Sequence, residues 1–210
     1  MIRLRVDPSA ASADDLGAAV SALHGGGVVA FPTETFYGLA ADPRAAWAVK
    51  KVFALKERAA DHPLPLIAAN VEQIVDHVGT LTPLAWRLAS RAWPGALTLI
   101  IPASPRLSDD VHLSTGKIAV RVPSDRVARL LAASAGHAIT STSANISGEP
   151  PTSNPEDVVR SIGARLDVLI DAGPTPGGLP STIVDATGED PVLVRAGAIA
   201  WDRVLEFSRF

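Results

Sequence analysis

Three polar segments carry the side chains able to do chemistry. Lys56-Glu57-Arg58 sets two cations just after an apolar helical stretch. Lysine offers a point charge and arginine a planar fork, so the two can grip a polyphosphate from a loop that enters a buried strand. The plainer reading is that they complement the carbonyl end of the helix dipole. Pro32-Thr33-Glu34-Thr35-Phe36-Tyr37-Gly38-Leu39 runs from an apolar strand into a hydroxyl-rich turn. Thr33, Thr35 and Tyr37 alternate, so they can share one side of an extended segment and hold a small polar ligand. The alternative is a proline-started turn whose threonines satisfy the backbone. In Thr140-Ser141-Thr142-Ser143-Ala144-Asn145-Ile146-Ser147-Gly148, six of nine residues are hydroxyl or amide donors. Small residues there can expose backbone N–H groups as an anion-binding nest. Asn145 can meet a base, a ribose or a carboxylate; a polar surface turn is the competing reading.

Single residues pose the same question. Arg121 lies late in the apolar run Ile118-Ala119-Val120-Arg121-Val122 and needs a partner, because a lone buried cation is costly. That partner is an internal carboxylate or an anionic ligand. Arg195 follows Val192-Leu193-Val194 in the same way, and Ser181-Thr182 puts hydroxyls at the start of another apolar run.

These residues must be positioned by alternating elements. A helix is expected from Asp14 to His24, with Ser12 and Asp15 as a capping box and Gly25-Gly26-Gly27 as its stop. Val28 to Phe31 reads as a buried strand. Asp42-Pro43 supplies a cap and an N1 proline for a helix over Arg44–Leu55. Leu64–Ala69, Leu97–Ile101, Ile118–Val122, Ala138–Thr140, Val168–Ile170, Thr182–Val184 and Val192–Val194 read as extended. Further helices open at Thr82-Pro83, at Ser124 and at Asn154-Pro155. The order is less regular than a repeated βαβ chain, so a twisted mixed α/β sheet with flanking helices is expected, as one domain over residues 1–210.

Composition narrows the chemistry. With no cysteine there is no disulfide, thiolate zinc site or cysteine nucleophile. The formal charge of −3 lacks the basic excess of a chain devoted to nucleic acid, so any RNA contact is local or transient. No apolar leader and no run of ~18 apolar residues is present, so a cytoplasmic protein without membrane contact is expected. P-loop, dinucleotide and nucleophile-elbow signatures are absent. The five histidines are scattered, so no metal site built from protein side chains is expected.

Taken together, the motifs resemble the YrdC/Sua5 family from about Leu16 to Gly197. The matching segments are PTETFYGL at 32–39, KER at 56–58 with Pro63-Leu64, PGALT at 94–98, IAVRVP at 118–123, SANISG at 143–148, STIVD at 181–185 and LVRAG at 193–197. Three positions depart from the family pattern: Pro180 stands where Glu is frequent, His62 where Asn or Lys is common, and Ala96 where the pattern has Pro.

The resemblance implies a YrdC/RibB-like (DHBP synthase-like) fold with an open, positively lined cavity, in its short single-domain form. It implies L-threonylcarbamoyladenylate synthesis from L-threonine, bicarbonate and ATP, with pyrophosphate release, for threonylcarbamoyladenosine formation in tRNA. Mg²⁺ would accompany ATP, and tRNA and a TsaD-type transferase are the implied partners. By motif, Lys56, Arg58, Ser143 and Asn145 form the catalytic tetrad around the phosphates. His62, Lys117, Pro151 and Arg195 join them on the nucleotide side. Thr33, Thr35, Tyr37, Ile67, Arg121, Ser141, Ser181 and Thr182 would surround threonine, with Arg121 on its carboxylate. Two rivals stand beside this: a paralogue that binds RNA or nucleotide without synthesis, and a carbamoyl-adenylate enzyme of hydrogenase maturation. The latter works with zinc-finger-like and acylphosphatase-like domains, neither of which is expected in a cysteine-free chain of this length.

Overall fold

A computed structural model describes residues 1–57 and 62–209. Arg58, one of the expected phosphate ligands, lies outside them. The elements run β1 (Ile2–Arg5), α1 (Gly17–His24), β2 (Val29–Phe31), β3 (Gly38–Ala40), α2 (Ala46–Leu55), β4 (Leu66–Ile67), α3 (Val71–His77), α4 (Pro83–Ala92) and β5 (Leu97–Pro102). They continue as α5 (Asp109–His112), β6 (Lys117–Arg121), α6 (Arg126–Ala135), β7 (Ile139–Thr140), β8 (Thr142–Ser143), α7 (Pro155–Ile162), β9 (Val168–Asp171), β10 (Thr182–Asp185), β11 (Val192–Arg195) and α8 (Trp201–Ser208).

Two mixed sheets result. One has the order β1-β9-β2-β3-β8 and the other β11-β10-β5-β6-β4-β7. β1, β9 and β2 are parallel, whereas β3 runs antiparallel to β2 and β8. β5 is parallel to β10 and antiparallel to β6. The chain leaves the larger sheet at Thr140 and joins the smaller at Thr142, so Ser141 sits at the crossing. Buried Thr140 stitches the two sheets: its Oγ1 accepts the Ala41 N–H at 2.8 Å and donates to Leu39 O at 3.2 Å. Buried residues of both sheets, such as Ala30, Leu39, Leu97 and Leu99, share one apolar core. A second cluster lies under α1 and α6, built by Leu23, Phe31, Ile67, Val127 and Leu131.

Local signals explain most helix ends. Thr82 Oγ1 accepts the Ala85 N–H and Pro83 occupies the first turn of α4. Asn154 caps α7 ahead of Pro155 in the same manner. Ser12 and Asp15 form the reciprocal capping box. Gly26, at φ +68°, closes α1 where an added Cβ would collide with the Trp47 ring at 1.7 Å. Two expected caps are corrected. Asp42 does not cap α2, which starts at Ala46 from an uncapped Ala45. Its carboxylate is engaged by the backbone N–H and guanidinium of Arg44. Asp125 rather than Ser124 caps α6, accepting the Ala128 N–H at 2.8 Å. Strands β1, β3 and β8 and helices α3, α5 and α8 had no reading in the sequence. β1 and β8 become strands through pairing with β9 and β3, distant in sequence. Among the described residues no helix is long and apolar enough to cross a membrane.

Candidate functional site

A cavity of about 620 Å³ opens where the two sheets meet. Its floor is the larger sheet, and strand alternation selects the side chains that face it. Thr98 and Ile100 of β5, Ala119 and Arg121 of β6, Ile183 of β10 and Ser181 just before that strand all line it. Register places Ile100 beside Ala119, Thr98 beside Ile183, and Ile183 beside Arg195 of β11. The turn from Thr33 to Gly38 forms one wall, and Ser141, Thr142 and Ser143 another. His62, Pro63, Pro65, Pro151 and Pro180 close the rim.

The 33–37 segment is a turn rather than an extended strand. Thr33 Oγ1 donates to Phe36 O at 2.6 Å and accepts the Thr35 N–H at 3.1 Å. The Thr33 and Thr35 hydroxyls therefore meet, at 3.2 Å, because the chain folds back and not because they alternate. Tyr37 is corrected. It borders the cavity, yet its side chain is fully buried and its hydroxyl donates to the O of Gly173, a residue outside the cavity lining, at 2.7 Å. Burial pushes that phenol up to about 12.

Of the expected tetrad, Lys56, Ser143 and Asn145 come together. Lys56, at the C-terminus of α2, is only 3 % exposed. Its Nζ donates to Ser143 O at 2.5 Å and to Asn145 O at 2.8 Å, with Asn145 Oδ1 at 3.4 Å. The amine thus ties the 143–145 loop to α2, and of these three only Ser143 lines the main cavity. Asn145 Nδ2 donates to Ile146 O and Glu149 O, and the residue borders a second cavity of about 340 Å³ that shares Pro151 with the first. The anion nest expected here is not formed as read. The N–H groups of Ala144, Asn145 and Ser147 donate to Tyr37 O, Ser143 O and Lys56 O, because the loop is spent on joining β8 to β3 and α2.

Three further side chains do not line the cavity, two of them, Ile67 and Thr182, by strand parity. Ile67 packs into the α1–α6 cluster, while its neighbour Leu66 lines the cavity. Thr182 is fully buried and its Oγ1 donates to Ile199 O at 2.7 Å, while Ser181 and Ile183 on either side face the cavity. Lys117 shares the floor's face but lies past its end, paired to Asp185 at 2.9 Å. His62, Pro151, Ser141 and Arg195 line the cavity.

Electrostatically the floor carries two guanidiniums. Arg121, 8 % exposed, donates through Nη1 to Glu34. Arg195 donates through Nη2 to Ser181 O at 2.7 Å and Ser181 Oγ at 3.2 Å. Partial burial, and then the like charge of Arg121, lower the Arg195 guanidinium from its ordinary value. Ser181 Oγ lies 2.8 Å from Thr98 Oγ1, completing a hydroxyl pair on the floor. Thr98 and Glu34 had no role in the sequence reading. A hydroxyl opening an apolar strand, and a lone acid between two threonines, were the available signals. Among the described residues no three His, Asp or Glu side chains stand close enough to hold a metal ion.

The arrangement of these elements recurs in known proteins. The chain is 39% identical over 178 residues to the threonylcarbamoyl-AMP synthase of Bacillus subtilis, covering 84% of this chain and 51% of that one. It is 40% identical over 168 residues to the synthase of Thiobacillus denitrificans, covering 80% and 89%. Against the first two curated relatives it spans about half of their length, 51% and 53%. The crystal structure of Pyrococcus abyssi Sua5 complexed with L-threonine superposes with a TM-score of 0.90 at 33% identity, covering 98% of this chain and 60% of that one. The Sua5_yciO_yrdC family model, which carries the description "Telomere recombination", matches residues 21–197. That match spans every strand but β1 and all the residues that line the cavity, and by it the chain belongs to the Sua5/YciO/YrdC family.

Proposed function

We propose that this chain is a threonylcarbamoyl-AMP synthase acting on L-threonine, bicarbonate and ATP. The observation that carries the reading is the buried Arg121 guanidinium on the floor of a cavity walled by hydroxyls. A fixed planar cation beside small donors suits an amino-acid carboxylate and side-chain hydroxyl. Arg121 holds the threonine carboxylate, with Ser141, Ser181, Thr33 and Thr35 around the rest. Ser143, His62, Pro151 and Arg195 border the nucleotide. Lys56 and Asn145 hold the loop that presents Ser143, and Arg58 extends the same motif.

The threonine ammonium and bicarbonate give a carbamate, water and a proton. A carbamate oxygen then attacks the α-phosphorus of ATP, the P–O bond to the β-phosphate breaks, and pyrophosphate leaves. Such a displacement needs no protein nucleophile; it needs positioning and charge neutralisation. Mg²⁺ would travel on the ATP phosphates, the oxygen ligands it favours, and lower their charge. As a nucleotidyltransferase of tRNA processing, the chain would pass its product to a transferase that modifies tRNA adenosine in the cytoplasm.

The test is pyrophosphate release from ATP with Mg²⁺, omitting threonine and bicarbonate in turn. Release that requires both supports the synthase. ATP binding without release under any combination overturns it and favours a nucleotide-binding paralogue.

A further inference from the structure

A carboxylate stands behind the guanidinium that faces the cavity. Glu34 accepts the Arg121 Nη1 hydrogen bond on Oε1, and the two side chains are only 17% and 9% exposed. Its other oxygen, Oε2, is fully buried and has no hydrogen-bond partner. A half-satisfied buried carboxylate is a costly group to keep, and a buried ion pair gives little stability that an apolar pair would not. The feature therefore calls for a role other than holding the fold. A second acid adds to the cost. Burial, with the charge of Glu34 contributing, raises the Asp125 carboxyl from its ordinary value.

The geometry around Glu34 is rigid. It sits in the turn locked by Thr33 Oγ1 on Phe36 O, and that turn is anchored again where Thr35 O accepts the Gly177 N–H at 2.7 Å and the Thr175 hydroxyl at 2.8 Å. Arg121 ends β6, whose register with β4 is set at Ile67. A guanidinium is planar with five N–H donors, so anchoring Nη1 restricts how its plane can turn and leaves other donors to face the cavity.

We propose that Glu34 is a positioning residue for substrate binding: it sets the plane of the Arg121 guanidinium, and so the orientation in which Arg121 meets an α-carboxylate. This rests on reading Arg121 as the group that holds the amino acid. The charge matters as well as the shape. An amide would still accept one hydrogen bond but without the charge assistance that roughly doubles its strength.

The experiment compares pyrophosphate release by the wild-type chain, Glu34→Gln, Arg121→Lys and the double variant, with KM measured separately for threonine and for ATP. In Glu34→Gln the threonine KM should rise roughly tenfold, the scale of one weakened charged hydrogen bond, with the ATP KM within about twofold. In the Arg121→Lys background the same change should add almost nothing, because coupled residues are not additive. Threonine-dependent wild-type release with an unchanged threonine KM in Glu34→Gln overturns the positioning role alone. Wild-type release that ignores threonine overturns it together with the synthase reading. An additive loss that raises both KM values assigns Glu34 to general folding and likewise overturns the proposal. Should Glu34→Gln unfold too readily for kinetics, Glu34→Asp keeps the charge but shortens the reach. It should then raise the threonine KM selectively, and an unchanged value overturns the role.

Discussion

Replacing Lys56 by methionine separates its two conceivable tasks, gripping phosphate and holding the protein's own loop. The amine donates to Ser143 O at 2.5 Å and Asn145 O at 2.8 Å in a site where Lys56 and Asn145 are 3% and 5% exposed. Ser143 O keeps a second donor, the Asn145 N–H at 3.0 Å, so its loss is partial. Asn145 O loses a charged donor in a buried place, which costs about 1–3 kcal/mol. Adding the partial loss gives about 2–4 kcal/mol. For a chain of this size each kcal/mol shifts the unfolding midpoint by about 2–4 °C, so a drop of roughly 5–15 °C is expected. Thermal unfolding followed by circular dichroism measures it, with pyrophosphate release run beside it. Release should fall as well, because the loop carrying Ser143 loses its tether. An unfolding midpoint within about 2 °C of wild type, with release abolished, would refute the tether and return the amine to the phosphates.

Tyr37 is the chain's single tyrosine, so its ionisation can be followed directly by tyrosinate absorbance. The folded midpoint should lie near 12 rather than the usual value of about 10. Because the folded value is raised, the stability linked to the neutral phenol is full below about pH 10 and is lost as pH climbs through about 12; a midpoint near 10 in the still-folded chain would contradict the burial argument. Thr182→Val should cost about 1–2 kcal/mol in denaturant unfolding through its lost bond to Ile199 O, leaving the threonine KM unchanged. Ser181→Ala should do the reverse, raising the threonine KM with little loss of stability, and matching KM shifts in both would undo the parity argument. Arg121→Lys should raise the threonine KM at least tenfold in initial-rate kinetics, since a point charge cannot replace a planar fork held by Glu34.

The elements legible in the sequence were those with local causes. Thr82-Pro83 and Asn154-Pro155 announced helices because cap and first-turn proline act within one turn. β8 was invisible because its two residues form a strand only through pairing with β3, far earlier in the chain. The site divides in the same way. Arg121, Ser141, Ser181, Thr33 and Thr35 were named from residue type and do line the cavity. Ile67 and Thr182 were misplaced by a single residue, since only pairing with neighbouring strands decides which face of a short strand is covered.

The sequence by itself determined the alternating α/β character, the starts of α4 and α7 and the residue types able to meet phosphate or carboxylate, all properties of single residues or near neighbours. Tertiary structure alone decided their duties. Lys56 meets the 143–145 loop across 87 positions of sequence, and Glu34 meets Arg121 across another 87. Such partnerships arise from sheet register and the crossing at Ser141. They turn a cation that looks exposed at a helix end into a buried tether, and an unremarked acid into the support of the cavity's arginine.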